Sequence, residues 1–209
     1  MREIKLISLS VLSAMVLAAC GGGSGGGTSS TTVPTDTSAG PLSKYVGVWN
    51  QGCNNHEFVT TTLAATSGGT SLSVTQKTEF FENTNCTGAV VATGTYAQPF
   101  LVAQHVRTEP NASVKMLTGE TVTASIDVAN ATASGGAITF VGSAVSSSVV
   151  NGKTVWRIAF KEGTLTQTVE IKSGTSQGAF MLRNGEFYTL QVVGNSTTSF
   201  AVESRYIRS

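Results

Sequence analysis

The feature that most constrains this chain is the alternation of apolar and polar residues along many short segments. Between Thr121 and Val128 every second side chain is apolar, and the same period recurs between Leu165 and Lys172, where Gln167 is the one polar residue on the apolar side. A period of two is typical of a strand with one buried face. We expect strands at 44–50, 57–66, 70–82, 89–98, 121–128, 137–146, 153–161, 165–172, 179–183, 186–193 and 198–207.

Turn signals separate these segments at short intervals. Asn151-Gly152 and Asn184-Gly185 each lie between two alternating runs, and Asn-Gly in that position is typical of a two-residue hairpin turn. Consecutive hairpins make an antiparallel meander. The chain is therefore predicted to be all-β, as an antiparallel up-and-down barrel or, alternatively, a two-sheet sandwich. The stretch 104–119 is predicted to be a long loop, placed across the mouth of a barrel.

Composition and motifs argue against several classes of function. Charged residues make up 12% of the chain and the formal net charge is +1, so no basic surface is available to hold the phosphates of a nucleic acid. The two histidines, His56 and His105, belong to no metal-binding spacing, and no Gly-x-Ser-x-Gly nucleophile motif occurs. The sequence therefore predicts a protein that is not an enzyme and holds no metal or cofactor.

The N-terminal segment has the pattern of an export signal. A basic start is followed by an apolar run that is too short to span a bilayer as a helix. The end of this run, Leu17-Ala18-Ala19-Cys20, resembles the lipobox of bacterial lipoproteins. The resemblance implies that residues 1–19 are removed and that Cys20 carries a lipid, which anchors the protein to a membrane. Because Gly21 rather than aspartate follows the cysteine, the resemblance favours the outer membrane.

The chain after the export signal divides into two regions. Residues 20–41 begin with the lipidated cysteine and are rich in glycine, serine and threonine, so they are predicted to form a flexible tether. Residues 42–209 are predicted to form a single β-barrel domain. Within it, Cys53 and Cys86 are an isolated pair in an exported protein. Such a pair is predicted to form a disulfide rather than a metal site.

The first predicted strand carries a second resemblance. Tyr45-Val46-Gly47-Val48-Trp49 is similar to the Gly-x-Trp signature that opens the lipocalins and their calycin relatives. In that family the tryptophan closes one end of the barrel, and a basic residue from the end of the last strand packs across it. Strand parity assigns the basic residue here to Arg208. The resemblance thus implies that Gly47, Trp49 and Arg208 pack together at one end of the barrel.

The lipocalin resemblance also implies a function. Large apolar side chains share a strand face in two places, and in a lipocalin-like barrel they would point inward. These candidate ligand-lining residues are Phe140, Trp156, Ile158, Phe160, Tyr188 and Leu190. Small barrels either hold one small ligand or are filled by side chains. We therefore expect either a lipid-anchored protein that binds a small hydrophobic ligand, or a structural or protein-interaction module of the cell envelope without a ligand cavity.

Overall fold

The computed structural model describes residues 40–96, 99–167 and 170–209, and these residues form an all-β structure. A 3-10 turn at Ser43–Tyr45 precedes the first strand. The strands are β1 (Gly47–Asn50), β2 (Glu57–Thr66), β3 (Ser71–Phe81), β4 (Val90–Tyr96), β5 (Leu101–Lys115), β6 (Thr121–Ala133), β7 (Gly136–Val141), β8 (Val145–Val150), β9 (Lys153–Phe160), β10 (Gly163–Gln167), β11 (Glu170–Ile171), β12 (Gly174–Arg183), β13 (Glu186–Val192) and β14 (Ser199–Arg208). The predicted export signal, Cys20 and the tether up to residue 39 lie outside the described residues.

Eight of the strands pair into a closed ring. In ring order they are β1, β2, β3, β5, β6, β12, β13 and β14, and each neighbouring pair is antiparallel. The ring order follows the chain order, which is the arrangement of a meander. Short turns make this order accessible: Asn184 and Gly185 both have positive φ, as the predicted two-residue hairpin turn between β12 and β13 requires.

Three of the remaining strands, β4, β7 and β11, extend the pairing of the ring strands β5, β6 and β12 beyond one end of the ring. Tyr96 of β4 faces Ile138 of β7, and Leu101 of β5 faces Ala133 of β6. Leu101 lies five residues after Tyr96, and Ala133 lies five residues before Ile138. The pairing of β4 with β7 therefore continues the register in which β5 pairs with β6. The same holds for β11 and β12, which pair with β7 and β6 in one continuous register. We call the end of the ring that carries the 3-10 turn the lower end, and the end that carries β4, β7 and β11 the upper end.

A second, smaller ring shares all five of its strands with the first. Beyond Arg107 the strand β5 bends away from β3, and its residues Ser113–Lys115 pair in parallel with Ser199–Ala201 of β14. This pairing closes a smaller ring made of β5, β6, β12, β13 and β14. Alternate side chains of all five strands fill it, namely Ala112, Val114, Ile126, Val128, Ala179, Met181, Tyr188, Leu190, Phe200 and Val202. The central part of the wall from β6 to β14 is consequently buried on both faces.

The strands β8, β9 and β10 form a separate three-stranded sheet that packs against the upper end of the ring. Its apolar face meets Phe80, Ala92, Ile138 and Phe140, which come from β3, β4 and β7. His56 stacks on Phe160 of β9 with ring centres 4.0 Å apart, and its Nδ1–H donates to the carbonyl of Phe81 at 2.9 Å. This insertion thus covers part of the upper end.

A disulfide joins Cys53 and Cys86 near the same end. It connects the segment after β1 with the turn between β3 and β4, and so ties together the first strands of the ring. Closing a loop of this length stabilises a fold by about 3–4 kcal/mol in the chain-entropy model.

The prediction of a long loop at 104–119 is wrong, because most of that stretch belongs to β5. Two register shifts interrupt the strand, one between His105 and Arg107 and one between Glu109 and Ala112. Pro110 lies at the second shift, where the missing N–H of proline does not break the ladder. The expected strand 137–146 is also wrong, since Gly142 has positive φ and a turn separates β7 from β8 there.

Candidate functional site

The lower end of the ring is closed by aromatic packing. Trp49 and Phe187 lie with their ring centres 5.4 Å apart, and Tyr45, Phe180 and Tyr206 complete the contact. The Trp49 Nε1–H donates to the carbonyl of Tyr45 at 2.8 Å, which fixes the 3-10 turn against β1. All five rings are at most 9% exposed. We call these five residues the aromatic floor.

The three residues of the Gly-x-Trp resemblance lie together at this end. The Arg208 guanidinium carbon is 5.4 Å from the centre of the Trp49 ring, and Nη2 of Arg208 donates to the carbonyl of Val46 at 3.2 Å. Gly47 has a φ of 146°, and a Cβ there would lie 3.2 Å from Nη2 of Arg208. Arg205 instead pairs with Glu186. A glycine at position 47 therefore leaves room for the arginine that covers the tryptophan.

A buried carboxylate below the floor is a polar site that the sequence analysis missed. The side chain of Asp127 is 1% exposed and accepts hydrogen bonds from Nζ of Lys44 at 2.6 Å, the hydroxyl of Thr108 at 2.6 Å and the hydroxyl of Tyr45 at 2.7 Å. Nε2 of His105 lies 3.5 Å away. The alternation of β6 assigned Asp127 to a solvent face. The position is buried because β6 has a ring on each side, and no local pattern indicates this.

The hydrogen bonds hold this site in one protonation state. Burial opposes ionisation of Asp127, but the bonds from Lys44, Thr108 and Tyr45 outweigh it and lower the pKa of the carboxyl group. Burial and then the Asp127 carboxylate raise the pKa of the Tyr45 hydroxyl. The site therefore contains an Asp127 carboxylate that accepts hydrogen bonds from Lys44, Thr108 and Tyr45. It attaches the 3-10 turn to the ring wall and leaves no free base or nucleophile.

The six candidate ligand-lining residues do not come together. Phe140, Trp156, Ile158 and Phe160 pack between the insertion and the upper strands. Tyr188 and Leu190 belong to the smaller ring, on the opposite face of the shared wall. The prediction that they line one cavity is therefore wrong. It failed because strand parity identifies a shared face but does not say which of several cores that face meets.

Above the aromatic floor, small side chains on β5, β6 and β12 face the ring interior, and those on β6 and β12 are partly exposed. Ala103 of β5 is fully buried, although Val102 beside it is 40% exposed. Ala131 lies directly opposite Ala103 on β6 and is partly exposed, as is Ala133, the next residue on that face. On β12, Ser176 and Gly178 share the face of Phe180 and are also partly exposed. On this side of the ring the exposure of the inward-facing side chains thus rises with distance from the floor, whereas Leu72, Val74 and Phe100 belong to the buried core.

Polar side chains line this partly exposed region, which we call the polar half. Gln51, Thr189 and Ser204 lie within hydrogen-bonding reach of the Tyr206 hydroxyl, and their bonds partly oppose the rise in the pKa of Tyr206 that burial causes. Across the ring, Nε2 of Gln76 donates to the hydroxyl of Thr61 at 3.4 Å. These groups, together with Ala131, Ala133, Ser176, Gly178, Glu57 and Glu203, make up the polar half.

Two carboxyl groups stand out in the polar half. Glu57 begins β2 and shares the inward face of Val59 and Leu63, whereas Glu203 lies at the register shift of β14. Burial raises the pKa of both carboxyl groups. Glu57 in turn contributes, after burial, to raising the pKa of Tyr96 to about 12. In the described part of the chain, neither glutamate has an ion-pair partner.

Parity along β2 could have identified Glu57 as inward-facing, because it is two residues before Val59 and six before Leu63. Glu203 could not be found in this way. The extra residue at the register shift changes the parity of β14 between Val202 and Ser204. Within the residues that the structure describes, no group of three or more His, Cys, Asp or Glu side chains is placed to hold a metal.

Comparisons with known proteins add no relative. No family model, no curated protein and no solved structure matches this chain. Over the described ranges, no helix is both long and apolar enough to cross a bilayer.

Proposed function

We propose that this protein is a lipid-anchored lipoprotein of the bacterial cell envelope that binds a small molecule inside a lipocalin-like barrel. The observation that carries this proposal is the contrast inside the ring: the aromatic floor is tightly packed, whereas solvent reaches the small and polar side chains above it. A closed sheet with one sealed end and one accessible interior is a common form of small-molecule site.

Two features support the barrel. Following the paired residues from β1 once around the ring leads back to a position about 12 residues away from the starting residue. A stagger of this kind accompanies the strand tilt that closes a sheet into a barrel. The packing of Arg208 over Trp49 beside Gly47, directly after a 3-10 turn, also agrees with the lipocalin resemblance.

The lipid anchor is proposed from the lipobox at Leu17–Cys20. The tether that the composition predicts at residues 20–41 would give the domain a reach of roughly 25 Å from the outer membrane. We expect Cys20→Ala to abolish incorporation of radiolabelled palmitate and to leave the precursor uncleaved by the lipoprotein peptidase. Normal labelling of this variant would refute the anchor, and Cys53→Ala serves as the control because it should label normally.

Small-molecule binding is tested by native mass spectrometry of the full chain, released from its membrane in a mild detergent. We expect the protein to carry an additional mass of a few hundred daltons that is lost on denaturation. A bare protein mass, obtained both from cells and after incubation with cell extract, would contradict a ligand-binding function.

The alternative, a protein-interaction module, is favoured by one observation. Among the described residues β8 pairs with β9 alone, and its residues Val149 and Val150 are 73% and 49% exposed. An uncharged edge strand with exposed valines is open to pairing with another strand. Under this alternative the protein would carry no small molecule, and replacing Val149 with lysine would abolish binding to its protein partner.

A further inference from the structure

We infer that the lower end of the ring docks on the membrane itself, against phospholipid headgroups that carry negative charge. The basic and apolar side chains that would meet the bilayer, which we call the lower rim, are Lys44, Val48, Arg183, Arg205, Ile207 and Arg208. This inference rests on the lipid anchor of the proposed function, and it adds which face of the domain the anchor holds against the bilayer.

The junction between the predicted tether and the domain lies at the lower end. The N–H of Gly40 donates to the carbonyl of Gly68 at 3.0 Å, and the N–H of Leu42 donates to that of Gly69 at 3.0 Å. Both carbonyls belong to the turn between β2 and β3. A Cβ on Gly40 would lie 2.5 Å from the carbonyl carbon of Gly69, so this close approach requires glycine. A lipid on Cys20 would therefore be connected to the domain at its lower end.

Two arginines of the lower rim lie at neighbouring strand ends. Arg183 ends β12 and is paired across the hairpin with Glu186, the first residue of β13. Arg205 of β14 lies opposite Tyr188 and forms an ion pair with Glu186. Burial and then Glu186 raise the pKa of the Tyr188 hydroxyl, whereas Arg205 and Arg183 lower it. Both arginines are thus close to the same side chains of β13.

The lower rim carries more positive charge than nearby carboxylates neutralise. Lys44 and Arg205 are each paired with one carboxylate, yet their side chains remain 46% and 53% exposed. In the described ranges, Arg183 and Arg208 have no carboxylate partner. Two positive charges are therefore left uncompensated at this end, and phosphate is an acceptor whose geometry suits arginine.

Two apolar side chains are exposed beside these charges. Val48 and Ile207 are 39% and 47% exposed. They lie on the outer face of the ring, because their neighbours Trp49 and Tyr206 point into its core. Ile207 is paired with Asn50, so the two side chains belong to adjacent strands. Basic residues beside exposed apolar ones are typical of surfaces that bind the interface of an anionic membrane.

The tether allows so small a surface to act. Two uncompensated charges attract an anionic leaflet weakly, and the attraction decays over about 8 Å at physiological salt. A lipid on Cys20 would keep the lower rim near the bilayer, so docking would be an intramolecular step at an effective concentration of roughly millimolar. Docking in this way leaves the upper end of the ring facing away from the membrane.

The insertion offers a contrasting surface of similar composition. Val149 is 73% exposed, and Arg157 on the neighbouring strand is also exposed. The insertion packs against the upper end, whereas the tether joins the domain at the lower end. Docking guided by the tether therefore favours the lower rim, and the insertion serves as an internal control.

The experiment measures hydrogen exchange by mass spectrometry on the full lipidated chain, reconstituted in vesicles. One set of vesicles contains phosphatidylcholine alone, and the other contains about one third phosphatidylglycerol. We expect amides in 43–48 and 183–186 to exchange about threefold or more slowly with phosphatidylglycerol, whereas amides in 149–157 exchange equally in both sets. Raising the salt from about 0.15 M to about 1 M shortens the screening length to about 3 Å and should remove the difference.

Matched double variants test the residues. Arg183→Gln with Ile207→Ser removes one charge and one apolar side chain from the lower rim, and Arg157→Gln with Val149→Ser makes the same kind of change on the insertion. The first variant should lose the slower exchange, and the second should keep it. All four side chains are at least partly exposed, so both variants should keep the thermal midpoint of the parent. If the first variant melted at a lower temperature, the two lipids and the salt series on the unchanged chain would still decide.

The outcomes separate this inference from the proposed function. Equal exchange in both lipids, or slower exchange in the insertion instead of the lower rim, would overturn the docking surface and leave the lipid anchor standing. Slower exchange that the lower-rim variant retains would also overturn it. Normal palmitate labelling of Cys20→Ala would refute the anchor and this inference together, so the two failures come from different measurements.

Discussion

The lower and upper halves of the ring interior are built on the same strands but differ in composition. At the floor, Phe187 contacts both Trp49 and Phe180, and the nearby polar atoms of Tyr45 and Asp127 are hydrogen-bonded. Above it, the alanine, glycine and serine residues on β6 and β12 are partly exposed, and two carboxyl groups have no ion-pair partner in the described chain. The comparison suggests that the floor holds the fold together, whereas the polar half leaves space and unmet hydrogen bonds for another molecule.

The largest expected effect concerns the fixed anion below the floor. Asp127→Asn removes the charge that Lys44, Thr108 and Tyr45 contact, so we expect it to lower the free energy of unfolding at pH 7 by about 2–3 kcal/mol. Because folding lowers the pKa of Asp127, its contribution is present above the unfolded pKa of about 3.9 and is lost as the pH falls through the folded pKa. Urea unfolding at pH 7 and pH 3 measures this difference. A loss of equal size at both pH values would contradict the role of the charge.

A smaller effect is expected from overfilling the buried interior at Ala103. Ala103 is fully buried beside Leu72 and Val74, so Ala103→Val should cost about 1–3 kcal/mol through strain. The variant should keep its affinity for the proposed ligand, because Ala103 is fully buried. Urea unfolding measures the stability and native mass spectrometry measures ligand retention; unchanged stability would show that the interior around Ala103 has room for two more methyl groups.

The smallest effect on stability is expected at the opposite residue. Ala131→Val makes the same chemical change on the strand paired with Ala103, but it projects into the polar half. We expect its free energy of unfolding to stay within about 0.5 kcal/mol of the parent, while the affinity for the proposed ligand falls because space is lost. If Ala131→Val destabilised the protein as much as Ala103→Val, the partly exposed and the buried position would not differ in packing.

Local patterns in the sequence predict much of the fold. The bounds predicted for β2 match those found, and β3, β13 and β14 are within one residue of their predictions. These strands alternate cleanly, and tight turns or a short 3-10 turn separate their hairpin partners. The disulfide between Cys53 and Cys86 is present as expected.

What failed depends on packing between elements that are distant in the chain. β5 lacks a clear alternation because it faces one core before its bend and another after it, so its polar middle was predicted to be a loop. Asp127 was assigned to solvent because a single strand pattern assumes one wet face, and β6 has none at that position. Trp156 and Tyr188 were grouped by parity alone, although they belong to different clusters.

The double pairing of β5 has a consequence for how the chain could be cut or rejoined. One end of this strand closes the larger ring against β3, and the other closes the smaller ring against β14. Cleaving the backbone near Arg107, in the middle of β5, would therefore disconnect the segment that closes the larger ring from the segment that closes the smaller ring. A break in the exposed turn at Thr118-Gly119 would leave both intact, which makes that turn the natural position for new termini in a circularly permuted chain.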